Sequence, residues 1–130
     1  MNAIRSSLVF DGRYAPEILI FRFTRWPSLA DQQALLKSLR DENLFTVNSS
    51  ALIDISALDD RELPDPDMLA AGLAHAQAKN TVLKRIACVV TSPEQTRFVR
   101  TLQMMAPQPN KIATFAADAD ALRWLMESID

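Results

Sequence analysis

The stretch Ala51-Leu52-Ile53-Asp54-Ile55-Ser56 is a short apolar run that ends in an aspartate and a serine. A loop rich in proline and carboxylates follows over residues 57–67, and an alanine-rich segment follows the loop. This succession is typical of a central strand that leads through a loop into a helix. Open α/β folds usually place function at that carboxyl end of a parallel sheet. We therefore expect a parallel sheet with its candidate site directly after residue 54.

An N-terminal hairpin is predicted before this strand. Residues 4–10 and 17–23 are two apolar runs separated by Asp11-Gly12-Arg13-Tyr14-Ala15-Pro16. Aspartate followed by glycine between two such runs is a turn signal, because glycine tolerates positive φ. The second run is apolar on both of its alternating faces, which indicates a strand inside the sheet.

Four helices are predicted from their start signals. Each begins at a residue that can accept hydrogen bonds from the first free backbone N–H groups of a helix. Two of these residues are followed by a proline that suits the first helical position. The predicted starts are Ser28 with Asp31, Asp65 with Pro66, Ser92 with Pro93 and Gln95, and Asp118.

The order of elements predicts the fold class. Two more apolar runs, 85–91 and 111–116, complete the order ββαβαβαβα. After the hairpin, each helix can act as a right-handed crossover between parallel strands. We therefore predict an α/β protein with a mixed five-stranded sheet and four helices, in which residues 1–130 form a single domain.

Composition argues against a nucleic-acid-binding, membrane-bound or secreted protein. The chain has 14 Lys and Arg against 16 Asp and Glu, so its net charge of -2 provides no global field that would recruit nucleic acid or an anionic membrane. No stretch approaches the ~18 apolar residues of a membrane span, and the N-terminus lacks the apolar core of a signal peptide. We expect a cytoplasmic protein. Its single cysteine, Cys88, is expected to be a buried strand residue.

The chain resembles the STAS superfamily, and more specifically its SpoIIAA-like branch of small bacterial proteins. The resemblance lies in Leu52-Ile53-Asp54-Ile55-Ser56 at the end of the third strand and in a closing motif. The closing motif consists of Phe115, Ala121, Leu122, Trp124 and Leu125. These motifs are mostly hydrophobic pattern, and they identify a fold better than an activity.

The phosphorylation switch of this family is missing from the sequence. Anti-sigma-factor antagonists of this fold carry a phosphorylatable serine just before the second helix. When the chains are aligned on Asp54, that position falls near Glu62, Leu63 and Pro64, and no serine or threonine occurs between Ser56 and Thr81. The resemblance therefore implies a regulatory, partner-binding domain without the serine switch.

The loop after the third strand is the most conspicuous polar feature. Its carboxylates are Asp54, Asp59, Asp60, Glu62, Asp65 and Asp67, and Arg61 is the one basic residue among them. One interpretation is a docking patch for a basic partner. A second is a weak magnesium site formed by Asp54 with Asp59 or Asp60. The ordinary interpretation is a solvated loop in which Asp65 and Asp67 stabilise a helix dipole.

A second candidate is the turn Thr91-Ser92-Pro93-Glu94, at the start of the third predicted helix. Free N–H groups there could hold an anion. Ser92 and Gln95 are, however, well suited to cap the same groups, and we expect ordinary capping. The candidate partner-binding residues are then Asp54, Ser56, Asp59, Asp60, Glu62, Asp65, Asp67, Thr91, Ser92 and Glu94.

The functional hypothesis is a non-catalytic cytoplasmic domain that binds a protein partner or a second copy of itself. No acid–base pair or nucleophile has a recognisable setting, so we assign no catalytic residue, and no cofactor or metal. The resemblance implies an alternative, a small-molecule or lipid-binding module, because SpoIIAA-like proteins share features with lipid-binding folds; an apolar ligand would then enter between the helices.

Overall fold

The computed structural model describes residues 8–65, 83–105 and 111–127, which form an α/β structure. The strands are β1 (Leu8–Asp11), β2 (Ile18–Phe23), β3 (Ser50–Asp54), β4 (Ile86–Val89) and β5 (Ile112–Phe115). The α-helices of the described ranges are α1 (Leu29–Asp41), α2 (Pro93–Met105) and α3 (Asp118–Met126), and a short 3-10 helix spans Asp60–Glu62. The predicted second helix, the residues before Leu8 and the candidate Asp67 lie outside the described residues.

The five strands form one mixed sheet in the order β1-β2-β3-β4-β5. Strands β1 and β2 are antiparallel, with Leu8 opposite Phe23, and every other neighbouring pair is parallel. Strand β3 lies in the middle, with Ile53 paired to Phe21 on one side and to Cys88 on the other. The predicted hairpin, the interior position of β2 and the mixed five-stranded sheet are therefore confirmed.

Helices α1 and α2 cover the same face of the sheet. Leu35 and Leu39 of α1 and Phe98 and Val99 of α2 share one buried cluster with the strand residues of that face. Those strand residues are Leu19, Phe21, Phe23, Ala51, Cys88 and Ile112. Right-handed crossovers between strands that follow one another across a sheet keep their helices on one face, which accounts for this arrangement.

Helix α3 covers the opposite face. Its Ala121 and Leu125 are fully buried in a second cluster. That cluster is completed by the alternate residues of the central strands, Ile18, Ile20, Leu52, Ala87 and Val89. Because successive side chains of a strand point to opposite faces, continuous apolar runs are what a sheet covered on both faces requires.

Two of the predicted helix starts are confirmed, and one is wrong. Ser28 Oγ accepts a hydrogen bond from the Asp31 N–H, 3.1 Å away, at the start of α1. At the start of α2, Ser92 Oγ accepts from the Gln95 N–H at 3.1 Å. The prediction that Asp118 caps the last helix is incorrect. Ala117 is the residue that precedes α3, and no side chain caps that helix.

Candidate functional site

The loop after β3 and the turn after β4 meet at one edge of the sheet. Strand β3 ends at Asp54 and β4 at Val89, and the two strands are parallel neighbours. Their carboxyl ends therefore lie side by side, as do the segments that leave them. We call the described loop 56–65 and the turn 91–94 together the loop–turn surface. The structure thus places every described candidate residue on or directly beside this surface.

Two hydroxyl groups join the turn to the loop. Ser92 Oγ donates to Asp60 Oδ1 at 3.1 Å. Thr91 Oγ1 donates to the backbone oxygen of Ser56 at 3.2 Å. Both contacts are exposed, so each one stabilises the arrangement only modestly. They nevertheless show that the loop and the turn belong to one surface.

The side chain of Gln95 joins the same two segments from below the surface. It is only 2% exposed. Its Oε1 atom accepts from the N–H groups of Thr91 at 2.7 Å and Ser92 at 3.3 Å. Its Nε2 atom donates to the backbone oxygens of Leu58 at 3.1 Å and Ser56 at 3.4 Å. The sequence predicted Gln95 as part of a helix cap, and the cap is confirmed. The hydrogen bonds from Gln95 to the loop were not predicted.

Asp54 is engaged through both of its carboxylate oxygens. Oδ1 accepts from the backbone N–H of Ser56 at 2.9 Å and from the Ser56 hydroxyl at 2.6 Å. Oδ2 accepts from Arg22 Nη1 at 2.7 Å. Asp54 is therefore a poor ligand for magnesium, because a metal ion would have to displace Arg22 from its carboxylate. Across the three described ranges, no three His, Cys, Asp or Glu side chains come together as ligands for one metal ion.

Arg22 links β2, β3 and α3 on the α3 face. Besides Asp54, its guanidinium binds Asp118 Oδ2, with 2.8 Å between Nη2 and the oxygen. The hydrogen bond with Asp118 and, after it, the bond with Asp54 raise the pKa of Arg22, and burial opposes them. Asp118 therefore fixes the first turn of α3 to the sheet instead of capping the helix.

Arginines also pair with two further carboxylates of the loop, Asp59 and Glu62. Asp59 accepts from Arg61 through both oxygens, with both nitrogen–oxygen distances at 3.2 Å. These side-chain bonds, helped by the Arg61 backbone N–H, lower the pKa of Asp59. Glu62 lies 3.6 Å from Arg25, which follows β2. The loop is therefore much less negative than its sequence indicates, and a docking patch based on net charge alone is weakened.

The other candidates occupy the rim of the surface. Glu94 is exposed in the first turn of α2 and pairs with Arg97 at 3.3 Å. Asp65 is exposed at the end of the described loop. Its expected role as the cap of the second predicted helix concerns residues 66–82, which lie outside the described part of the chain.

The residues that the sequence analysis missed are Arg22 and Arg25. One signal for Arg22 was available: it interrupts the apolar alternation of an interior strand, and a charge there requires an opposite charge nearby. The sequence could not say which of sixteen carboxylates that would be. Arg25 lies in a connecting segment and gave no such signal.

The two tryptophans pack into the hydrophobic clusters. Trp26 packs edge-on against Phe23 and Phe98, with ring centroids 5.3 Å apart in both pairs. It therefore seals the α1/α2 face. Trp124 packs against Phe115, and the Arg85 guanidinium lies 4.7 Å from the centre of its ring.

A depression of about 330 Å³ lies at the opposite edge of the sheet, beside the first residue of β2. Its lining combines charged, aromatic and aliphatic side chains: Arg13, Tyr14, Ala15, Glu17, Ile18 and Met126. Arg13 is already paired with Asp11 at 2.8 Å. This mixed lining differs from the apolar cavity between helices that the ligand-binding alternative requires, and that alternative stays a prediction.

Comparison of the chain with protein-family models, with curated proteins and with solved structures gives no match. In the described part of the chain, no helix has the length and apolar character that crossing a membrane requires. The geometry of the loop–turn surface is therefore the basis on which function has to be inferred.

Proposed function

We propose that this protein is a non-catalytic, cytoplasmic regulatory domain that resembles the SpoIIAA-like branch of the STAS superfamily and binds a protein partner through its loop–turn surface. The observation that carries the proposal is the set of hydrogen bonds that joins the loop after β3 to the turn after β4. A surface that is already ordered loses little conformational entropy when it binds. The partner is another protein or a second copy of this chain.

The closing motif supports the fold resemblance and not an activity. Ala121 and Leu125 are fully buried against the sheet. Phe115 and Trp124 pack against each other with ring centroids 5.6 Å apart. These residues build the core of the α3 face, so they bear on fold alone.

The contacts of Ser56 support a binding role for the loop–turn surface. Its hydroxyl donates to Asp54, and Asp54 also accepts from Arg22. A serine nucleophile needs a neighbouring base that can take its proton. Both Asp54 oxygens are already engaged, one by Ser56 and the other by Arg22, so the contact serves to fix the start of the loop.

Partial charge compensation also shapes the expected binding mode. Because Asp59 and Glu62 have arginine partners within the chain, a basic partner would have to compete with Arg61 and Arg25. Recognition would then depend on the shape of the surface and on the Asp60 carboxylate, which among the described residues accepts from Ser92 and not from an arginine, and less on the net charge of the loop. A partner of this kind gains specificity from matched hydrogen bonds.

The test is quantitative capture of partners from the protein's own host cells by three forms of the chain. These are the wild type, D59N/D60N, and the control D41N/E42Q, which changes the same number of charges at the end of α1. That end of α1 leads to the start of β3 and so faces the opposite edge of the sheet. We expect D59N/D60N to lose a protein that the other two forms retain.

Equal recovery by all three forms would argue against the loop–turn surface as the binding site. Native mass spectrometry of the purified wild type separates the remaining classes. An added mass equal to this chain indicates self-association. An added mass of a few hundred daltons that is lost on denaturation would instead favour the small apolar ligand and count against the protein-partner proposal.

A further inference from the structure

The side chain of Gln95 forms hydrogen bonds with both segments of the loop–turn surface. Gln95 is the first-turn residue of α2 whose side chain points under the loop, and it is 2% exposed. Its side chain makes four hydrogen bonds to the backbone, two to the turn and two to the loop. Both polar atoms are therefore satisfied, as a buried amide requires.

We propose that Gln95 is the positioning residue of the loop–turn surface: its carboxamide holds the loop 56–62 against the turn 91–92, so that the two segments present one surface. The proposal rests on the function proposed above only in calling this a binding surface. Gln95 itself is buried and does not touch a partner. It acts through Ser56 and Leu58 on one side and Thr91 and Ser92 on the other.

The geometry shows why an amide is needed at this position. The two segments present unlike groups to the buried side chain: backbone N–H groups from the turn and backbone oxygens from the loop. Of the side chains of this size, only glutamine offers an acceptor and a two-proton donor at its tip. A methionine would fill the same volume but leave these backbone groups unpaired.

Leu58 also attaches the loop to the sheet, through a hydrophobic contact that has no preferred direction. Its side chain is buried in the cluster of the α1/α2 face. Apolar burial keeps the loop near the sheet but does not fix its orientation. The carboxamide of Gln95 accepts and donates along fixed directions, so it is the element that sets the conformation of the loop.

Amide hydrogen exchange of Gln95→Met tests the proposal without any partner. The diagnostic groups are the backbone N–H groups of Leu58 and Glu62, which donate to the backbone oxygens of Ile55 and Asp59 and not to Gln95. Their exchange reports motion of the loop and not the direct loss of a bond. We expect their protection to fall by roughly tenfold to a hundredfold, the effect of leaving buried groups unpaired. The sheet amides of Ile55 and Val90 should keep their protection.

Gln103→Met is the matched control. Gln103 lies on the same helix, and its Nε2 atom donates to the backbone oxygen of Ile112 at 2.6 Å, far from the loop. This variant should leave Leu58 and Glu62 protected. Unchanged loop protection in Gln95→Met would overturn the proposal. So would an equal fall in the loop and in the sheet, because Gln95 would then be a residue of the general fold.

Gln95→Glu adds a readout that a volume-filling role would not produce. The ionised carboxylate of this variant places an acceptor against the oxygens of Ser56 and Leu58, whereas the protonated acid can donate to one of them. Loop protection should therefore be low at neutral pH and recover on acidification. The wild type measured at each pH controls for the other carboxylates at this surface, which are Asp54, Asp59, Asp60, Glu62, Asp65 and Glu94. Protection that does not depend on pH would contradict the proposal, as would a failure of both variants to fold.

The two proposals can fail separately. If Gln95→Met loosens the loop but no partner depends on the loop–turn surface, the positioning role stands and the proposed function is wrong. If a partner binds the wild type and Gln95→Met equally and the loop stays protected, the binding surface stands without this positioning residue. Loosening of the loop together with weaker partner capture would support both.

Discussion

Replacing Arg22 with methionine should destabilise the protein by about 2 kcal/mol. The change keeps the apolar stem of the side chain and removes its bonds to Asp54 and Asp118, at 2.7 and 2.8 Å. Exposed ion pairs contribute about 0 to 1 kcal/mol, whereas breaking a buried pair costs about 3 to 5. The side chain of Arg22 is 34% exposed, so this pair falls between the two limits.

Most of that cost should come from Asp54. The bond with Asp118 contributes more to the raised pKa of Arg22, but the Asp118 side chain is 41% exposed and regains water when the arginine is removed. Asp54 is only 15% exposed and would keep an unpaired charge close to the sheet. We therefore expect D118N to cost about 0.5 kcal/mol, as an exposed pair does.

A double-mutant cycle of R22M, D54N and R22M/D54N, measured by urea denaturation, gives the coupling free energy between Arg22 and Asp54. The same cycle with D118N in place of D54N is the control. The coupling between Arg22 and Asp54 should be about 1 kcal/mol or more, in the range found for contacting residues. Asparagine keeps an oxygen that can accept from Ser56, so D54N removes the charge and the acceptor that face Arg22 and leaves the start of the loop bonded. A cost of R22M below about 0.5 kcal/mol would refute the assignment. A larger coupling to Asp118 than to Asp54 would refute the argument from exposure.

Two further predictions concern titration and reactivity. NMR titration should give Asp59 a pKa below the ordinary value of 3.8, and R61Q should raise it without full recovery because the backbone N–H of residue 61 remains. Since the folded pKa is the lower one, the stabilisation that Asp59 provides is present above pH 3.8 and is lost as the pH falls through its folded pKa. Burial raises the pKa of Cys88 to about 12, so a thiol reagent at neutral pH should label it at the rate of unfolding. Rapid labelling of the folded protein would contradict its position in the core.

The sheet could be predicted because its signals are local. In β2, Leu19 and Ile20 face opposite sides and are both fully buried, and this makes a continuous apolar run recognisable as an interior strand. Aspartate and glycine between two such runs located the hairpin, although Gly12 does not adopt the positive φ on which that signal was based. The caps at Ser28 and Ser92 depend on residues three positions apart, so they too can be found without knowledge of tertiary contacts.

The charge arrangement of the site could not be predicted because its contacts are long-range. Arg22 is 32 residues from Asp54 and 96 from Asp118 in sequence. Asp118 has the residue type of a helix cap, but it is the first residue of α3, one position past the cap, and its carboxylate pairs with Arg22. A carboxylate that can cap a helix or pair with a guanidinium is ambiguous until the strands have been placed.

The charge of the loop shows why counting residues in one segment misjudges a surface. Strand β2 runs parallel to β3, so the end of β2 lies beside the loop that leaves β3. Arg22 and Arg25 enter the site from that neighbouring end and pair with Asp54 and Glu62. These arginines lie near the carboxylates of the loop because unpaired charges close to a sheet would cost free energy. In parallel sheets, the relevant count includes the segments that follow both neighbouring strands, and here it gives Asp54 and Glu62 arginine partners that the loop itself does not provide.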